Sequence, residues 1–159
     1  MKQEIFNTPD YDGCGIYAIV NSRKMICYIG SSRNIKRRAI NHKTHLRQGK
    51  HSNKLLQKDY ENKNSFRFIV LCKVEDDVED DFLIALEKMY MLSAMDNYFD
   101  VYNLLPKTRW NKQKDWIYAH LIHYFLSKNN VSKNFVNAFS EEYGTTPAYM
   151  HNRKPENRN

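Results

Sequence analysis

Residues 15–30 read GIYAIVNSRKMICYIG and decide the fold of the chain. Residues 16–20 and 25–29 are short runs rich in β-branched and aromatic side chains, and the polar residues 21–24 separate them. Two such runs around a polar turn are typical of antiparallel strands. The stretch therefore predicts a β-hairpin whose second strand ends at Gly30.

The chain after the hairpin predicts helices and one further strand. Asn34 is a suitable N-cap for a first helix that stops at Gly49, and Ser52 is a suitable cap for a shorter second helix. Residues 66–74 are largely apolar and free of breakers, which predicts a strand. The acidic residues 75–81 favour the start of a third helix. The apolar residues of that helix recur at helical spacing: Val78, Phe82, Ala85, Leu86 and Met89.

The charge distribution indicates a polyanionic partner. The net charge is +7 and the pI is about 9.2, and neither Asp nor Glu occurs between Asp12 and Asp59. Charge alone does not distinguish nucleic acid from a membrane surface. No apolar run is long enough to span a bilayer, and the N-terminus lacks the apolar core of a signal peptide. The three cysteines have no paired spacing, which argues for a reducing, cytoplasmic setting and against zinc.

The C-terminal third predicts a basic, helical unit. A short extended segment is expected at 100–105, and residues 107–159 then carry nine Lys or Arg against four Asp or Glu. A basic linker at 107–114, a helix at 114–128 and a disordered tail at 155–159 are expected.

Residues 132–153 have the outline of a helix-turn-helix unit. Ser132 would cap a first helix with apolar residues at Phe135, Val136 and Phe139, and Gly144 would form the turn. Thr145 would cap a second helix that has Pro147 in its first turn. That helix would present four side chains to a DNA groove: Thr146, Tyr149, Asn152 and Arg153. The alternative is a helical appendage that packs on the rest of the chain.

Several motifs occur in a fixed order and give the sequence a family likeness. The residues are Gly15-Ile16-Tyr17, Tyr28-Ile29-Gly30, Arg38, His42, His51, Glu87 and the pair Tyr102-Asn103. In this order and spacing they resemble the GIY-YIG nuclease superfamily. The nearest likeness is to phage homing endonucleases, which share the Arg-x-x-x-His step and the later Gly-x-His. The resemblance covers roughly residues 13–106.

The resemblance implies an α/β (α+β) fold, in which a small three-stranded antiparallel sheet is flanked by helices. Residues 1–106 would form the catalytic domain, and residues 107–159 an all-helical extension that recognises DNA. The implied activity is metal-dependent hydrolysis of phosphodiester bonds in double-stranded DNA, with one Mg²⁺ or Mn²⁺ per site and no small-molecule cofactor. Phage-infected or bacterial cells are the expected setting. A double-strand break would then require a homodimer or sequential nicking.

The predicted catalytic residues have chemistry that suits this reaction. Glu87 is a hard carboxylate for the metal ion, and Arg38 would bind a non-bridging phosphate oxygen. Tyr17 is the favoured general base, with Tyr28 or His42 helping to orient the water and relay the proton. His51 is expected at the rim of the site and Asn103 to orient it through hydrogen bonds. Five cations of the acid-free interval are assigned to DNA contact: Arg33, Arg37, Lys43, Arg47 and Lys50.

Other interpretations stay open. A tyrosine in a hairpin usually packs in a core, a glutamate beside an apolar stripe is usually solvated, and histidines on basic helices are usually exposed. A site-specific homing or mobile-element endonuclease is the preferred biological assignment, and a restriction endonuclease is the next. A module that binds nucleic acid without cutting it, and an enzyme of DNA repair or RNA cleavage, are further alternatives.

Overall fold

The computed structural model describes residues 4–104 and 130–153, and its centre is a four-stranded sheet. The strands are β1 (Gly15–Asn21), β2 (Ile26–Ser32), β3 (Arg67–Lys73) and β4 (Asp100–Val101), and their order in the sheet is β3-β1-β2-β4. β1 pairs antiparallel with both β2 and β3, so the predicted hairpin is confirmed.

The sheet has four strands where the sequence predicted three. The additional strand, β4, lies parallel to β2 at the edge of the sheet. It is only two residues long because a 3₁₀ helix follows at Tyr102–Leu104, where the sequence predicted a longer extended segment. Tyr102 is buried there, and its hydroxyl donates to the Asp59 carboxylate at 2.6 Å. This buried contact favours the turn over further strand.

The described residues form five α-helices: α1 (Ile35–Arg47), α2 (Lys54–Glu61), α3 (Asp80–Asp96), α4 (Val131–Tyr143) and α5 (Pro147–Asn152). The predicted cap of α1 is confirmed, because the Asn34 side chain accepts from the Arg37 N–H at 2.8 Å. Asn53 caps α2 in place of the predicted Ser52, and accepts from the Leu56 N–H at 3.0 Å. None of the helices among the described residues is long and apolar enough to cross a bilayer.

The buried face of α3 differs from the prediction. Leu83, Tyr90 and Ala94 are buried, whereas Phe82 is 54% exposed and Ala85 is also exposed. The helix begins at Asp80, after Val78, and the stripe at positions 83, 90 and 94 is rotated by about one residue from the expected stripe. Glu87 lies between Leu83 and Tyr90 at helical spacing, so it borders the side of α3 that faces the sheet.

Each face of the sheet has its own core. One face packs Ile16 and Ala18 of β1 against α3 and α4, and the other packs Tyr17 and Ile19 against α1 and α2. Successive side chains of a strand point to opposite faces, so a central strand with helices on both sides is buried along its whole length. All seven residues of β1 are buried.

Helix α4 belongs to the first of these cores. Phe135 and Phe139 are buried, and their rings lie 5.7 and 5.4 Å from the ring of Phe99. Gly144 makes the predicted turn, with φ of +70°. Asn130 occupies the N-cap position of α4, for which the sequence predicted Ser132. Thr146, one residue after the predicted Thr145, caps α5 by accepting from the Tyr149 N–H at 3.3 Å.

Some predictions fall outside the described residues. They are the basic linker at 107–114, the helix at 114–128 and the tail at 155–159. The boundary at residue 106 between a catalytic domain and an extension also falls there and stays a prediction. Within the part that is described, α4 packs on α3 and β3 as the appendage interpretation expected.

Candidate active site

The strands β1 and β2 place two tyrosines side by side. Tyr17 pairs with Gly30 across the hairpin, and a β-bulge lies between Ile16 and Tyr17 on the β3 side. The ring of Tyr17 is fully buried and lies between two other rings. Its centroid is 4.8 Å from that of Phe68 and 6.4 Å from that of Tyr28. Any Cβ at position 30 would collide with the Tyr17 hydroxyl and ring. A glycine is therefore needed at this position for the hydroxyl to lie where it does.

Helix α1 brings two further side chains to the Tyr17 hydroxyl. Arg38 Nε donates to the Tyr17 oxygen at 3.2 Å, and His42 Nε2 lies 2.7 Å from the same oxygen. These residues are four apart on α1 and therefore share a face, as the spacing predicts. Arg38 is half-buried and also acts electrostatically on Tyr28, so its guanidinium lies close to both phenols.

His51 joins the same cluster from the loop before α2. Its Nε2 lies 2.7 Å from His42 Nδ1, and its backbone N–H donates to Gln57 Oε1 at 3.1 Å. The side chain is 1% exposed, so the prediction that His51 sits at the rim of the site is wrong. The side chain is buried because the loop folds back between α1 and α2, where His42 and Gln57 bind its polar atoms.

Glu87 reaches the site from the other side of β2. It is half-buried, and its Oε2 accepts a hydrogen bond from Ser31 Oγ at 2.6 Å. The charge of Glu87 contributes to raising the pKa of both Tyr17 and Tyr28, so its carboxylate acts on the two phenols from across β2. Sequence reasoning missed Ser31. Its one available signal is its position directly after Gly30.

Asn103 binds the backbone of β2 rather than the reacting groups. Its amide oxygen accepts from the Ile29 N–H at 2.9 Å, and its amide nitrogen donates to the Ile29 carbonyl at 2.7 Å. The side chain thus pairs with β2 as a neighbouring strand would. Ile29 lies between Tyr28 and Gly30, so this pairing fixes the strand at the point where it carries site residues.

Burial controls the protonation of the cluster. Burial first, and then Tyr28, raises the pKa of Tyr17, and burial also raises the pKa of Tyr28. Burial, followed by the charge of Arg38, lowers the pKa of His42 to about 3, and burial lowers the pKa of His51. Both imidazoles are therefore neutral at neutral pH. Because burial raises the pKa of Tyr17, a base at this position needs hydrogen-bond donors that stabilise its phenolate.

Glu87 is the candidate metal ligand. Among residues 4–104 and 130–153, no three His, Cys, Asp or Glu side chains cluster closely enough to form a metal-binding cage. A single carboxylate with one oxygen bound to Ser31 suits a hard, mostly hydrated ion such as Mg²⁺, which commonly binds through one or two carboxylates and substrate phosphates. The residues present therefore fit magnesium or manganese better than a transition metal that requires several protein ligands.

Two of the cations assigned to DNA make internal contacts. The structure contradicts the assignment of Lys43, whose side chain is 8% exposed and binds Glu4 at 2.9 Å and Thr8 at 2.7 Å. Its position on α1 is beside the buried stripe, so it anchors the N-terminal segment. Arg33 is exposed but donates to the carboxylate of Asp80 at 2.6 Å, which raises the pKa of Arg33.

The remaining cations and the polar residues of α5 face solvent. Arg37, Arg47 and Lys50 are exposed. On α5, Tyr149 is 48% exposed, and the Arg153 guanidinium lies over its ring at 4.7 Å. Asn152 and Thr146 are also exposed, although the Thr146 hydroxyl serves as the helix cap. The role of these residues in DNA contact stays a prediction.

Comparison with known proteins places this geometry in context. The family model described as the GIY-YIG catalytic domain matches residues 13–93, about half of the 159 residues. Two similar solved structures are the catalytic domain of the homing endonuclease I-TevI and a mutant of the catalytic domain of the intron endonuclease I-TevI. Each is 25% identical with a TM-score of 0.48 and covers 55% of this chain, and the match covers 94% and 89% of their chains, respectively. A search of curated proteins found no match.

Proposed function

The chain belongs to the GIY-YIG family of catalytic domains, and from this membership we propose that it is a metal-dependent endonuclease that hydrolyses phosphodiester bonds in double-stranded DNA. The observation that carries the proposal is the convergence of Arg38 and His42 on one phenol oxygen. Their nitrogens lie 3.2 and 2.7 Å from the Tyr17 hydroxyl, and the charge of Glu87 also raises the pKa of that hydroxyl. A buried tyrosine usually has a hydrogen-bond partner, but a guanidinium together with an imidazole can stabilise a phenolate, which a general base requires.

The reaction needs a base, a group that binds the phosphate and a leaving group that can accept a proton. Water attacks phosphorus in line with the leaving oxygen, the new P–O bond forms, and the P–O bond to the deoxyribose oxygen breaks. Tyr17, as phenolate, takes the proton of the attacking water. Arg38 stabilises the negative charge that develops on the non-bridging oxygens. The departing oxygen is protonated from solvent.

Glu87 would hold the metal ion. When bound, Mg²⁺ or Mn²⁺ neutralises charge on the phosphoryl oxygens and stabilises the leaving oxygen. Ser31 orients the carboxylate by donating to one of its oxygens, and leaves the other oxygen to the ion. Residues that orient a ligand in this way are often worth tenfold or more in metal affinity.

The finer assignment is a site-specific enzyme of the homing or mobile-element type. The Arg-x-x-x-His step from Arg38 to His42 and the Gly-x-His from Gly49 to His51 support it. The exposed polar face of α5 is a candidate for reading the DNA sequence. A restriction endonuclease with the same core is the alternative. Because the described residues form one such site, we expect cleavage of both strands to need a second copy or a second visit.

Plasmid cleavage tests the proposal. Supercoiled and linear DNA are incubated with the full chain and Mg²⁺ or Mn²⁺, with a chelator control, and compared with Glu87→Gln and with Asp81→Asn. Asp81 is an exposed carboxylate on the same helix and serves as the matched control. We expect Glu87→Gln to lower the rate by more than about a hundredfold and Asp81→Asn to retain it.

Binding and target size separate the alternatives. If the intact protein binds duplex DNA but cuts neither DNA of any form nor RNA, the chain is a binding module and the proposal is wrong. If it cuts, fragment mapping distinguishes a rare, long target, which a homing enzyme recognises, from a short and frequent one.

A further inference from the structure

Two buried histidines connect the Tyr17 hydroxyl to Asn53, the residue that directly precedes α2. His42 Nε2 lies 2.7 Å from the Tyr17 oxygen, and His42 Nδ1 lies 2.7 Å from His51 Nε2. At the far end, the Asn53 backbone N–H donates to His51 Nδ1 at 3.1 Å. In a neutral imidazole one nitrogen donates and the other accepts, so fixing one proton in this series fixes all of them.

The Asn53 N–H fixes that proton. A backbone N–H can only donate, and within the described part of the chain this one has no acceptor other than His51 Nδ1. The Asn53 carbonyl lies 3.3 Å from the same ring nitrogen, but it has a partner without His51, because it accepts from the Gln57 N–H at 3.1 Å in the first hydrogen bond of α2, whereas the Asn53 N–H has none among the described residues. His51 Nδ1 therefore accepts, because a protonated Nδ1 would face the Asn53 N–H and leave it unsatisfied.

The remaining protons follow in order. Both rings are neutral because burial lowers the pKa of each, so each carries one N–H. With its Nδ1 accepting, His51 carries its proton on Nε2 and donates it to His42 Nδ1. His42 in turn carries its proton on Nε2, the atom that faces Tyr17.

We propose that Asn53 and His51 are positioning residues that lock His42 in the tautomer that donates to the Tyr17 oxygen. Tyr17 then receives two donated hydrogen bonds, from His42 Nε2 and Arg38 Nε. Among the described residues no hydrogen-bond acceptor is then left for the Tyr17 proton, so the arrangement suits the phenolate better than the neutral phenol. When Tyr17 loses its proton, the phenolate keeps both donors, and hydrogen bonds to a charged oxygen are about twice as strong as neutral ones. The histidine pair stabilises the base and does not relay a proton away from it.

The other groups that face Tyr17 act in both directions. Glu87 and Tyr28 raise its pKa, while Arg38 lowers it. The histidine pair is faced by Arg38 and His45, and His51 also by Lys54, all of which favour neutral rings, whereas the backbone of Asn53 raises the pKa of His51. The net effect of burial and these charges still lowers the pKa of both rings. Burial, Tyr28 and Glu87 therefore oppose ionisation of Tyr17, and the locked donor offsets part of that effect.

Histidine ¹⁵N NMR tests the tautomers without any dependence on activity. The full chain is labelled with ¹⁵N-histidine, and its signals are assigned from His42→Gln, His51→Gln and His45→Gln spectra. His45 is exposed on α1 and is the internal control. We expect His42 and His51 to be neutral and protonated on Nε2 at neutral pH. An Nδ1-protonated ring or an imidazolium at either position overturns the inference.

A pH–rate comparison tests what the lock does, and this part rests on the proposed function. In His51→Phe, the tautomer of His42 is no longer fixed, and its Nε2 can accept from the Tyr17 hydroxyl instead of donating to it. The phenolate of Tyr17 then loses a donor and its pKa rises, so the rising limb of the pH–rate profile should move to higher pH by about one unit or more. His51→Gln retains an acceptor for Asn53 and a donor for His42, so its limb should stay in place. If His51→Phe lowers the maximal rate but does not shift the rising limb of the pH–rate profile, the positioning role is refuted. If no variant cuts DNA but the NMR tautomers are as expected, the proposed function fails and the tautomer lock stands.

Discussion

The substitution Gly30→Ala tests whether the Tyr17 hydroxyl lies where the site needs it. The added Cβ would overlap the hydroxyl and the adjoining ring carbon by roughly an ångström relative to van der Waals contact. Tyr17 has little room to retreat, because Phe68 lies behind its ring and two side chains hold its oxygen. The ring must therefore shift, and the hydroxyl must leave at least one of its partners.

The expected effect is larger on catalysis than on stability. Overpacking a core by one carbon costs about 1–3 kcal/mol in the free energy of unfolding. A displacement of about 1 Å in a reacting group lowers the rate by about a hundredfold. We therefore expect Gly30→Ala to fold, to lose a few degrees in melting temperature and to cut DNA about a hundredfold more slowly under single-turnover conditions.

Gly144→Ala is the matched control. Gly144 has φ of +70° with nothing within 4 Å of an added Cβ, so the substitution costs about 1 kcal/mol of strain in the turn after α4. Denaturant unfolding measures the two stabilities, and cleavage at saturating enzyme measures the two rates. If Gly30→Ala cuts DNA within a few-fold of the unmodified protein, or if Gly144→Ala is equally slow, the reasoning about Tyr17 is wrong.

Three further predictions concern the surroundings of the site. Ser31→Ala should raise the Mg²⁺ concentration for half-maximal cleavage by about tenfold, because Glu87 loses the group that orients it. An unchanged Mg²⁺ concentration contradicts that role of Ser31. Arg47→Ala should reduce the slope of log affinity for DNA against log salt by about 0.9, whereas Lys43→Met should leave the slope unchanged because Lys43 is buried. Stability should fall as pH drops from about 6.5 toward 3, and His42 should contribute about 1.4 kcal/mol per pH unit, because unfolded His42 binds a proton that the folded residue refuses. The slope should decrease by that amount in His42→Gln and keep the contribution of His51, whose pKa is also lowered; an unchanged slope in His42→Gln assigns the effect to other groups.

The hairpin and the first helix were predictable from the sequence because their signals are local. β-Branched runs around a polar turn specify β1 and β2, and the side chain of Asn34 caps α1 through a contact three residues away. The phase of α3 was not predictable in the same way. Its apolar residues surround much of the helix, and contacts with the sheet and α4 decide which of them are buried.

In the candidate site too, the features with a local signal were predictable and those set by tertiary contacts were not. Helical spacing alone places Arg38 and His42 on one face, and the structure brings both to Tyr17. The burial of His51 was not predictable, because it depends on how the loop before α2 folds back. The donor that fixes its tautomer is a backbone N–H, and backbone groups carry no residue-type signal in a sequence.

The end of β2 is where the two halves of the site meet. Directly opposed residues of an antiparallel pair share a face, so Gly30 lies on the face of Tyr17, and Ser31 lies on the face of Ile16, which packs toward α3. The proposed base Tyr17 and the candidate metal ligand Glu87 therefore stand on opposite faces of the sheet, near the end of β2. A phosphate that reaches both groups must lie across the end of this strand. The absence of a side chain at Gly30 leaves the space for Tyr17, and the hydroxyl of Ser31 holds Glu87, so two adjacent residues set the geometry of both halves.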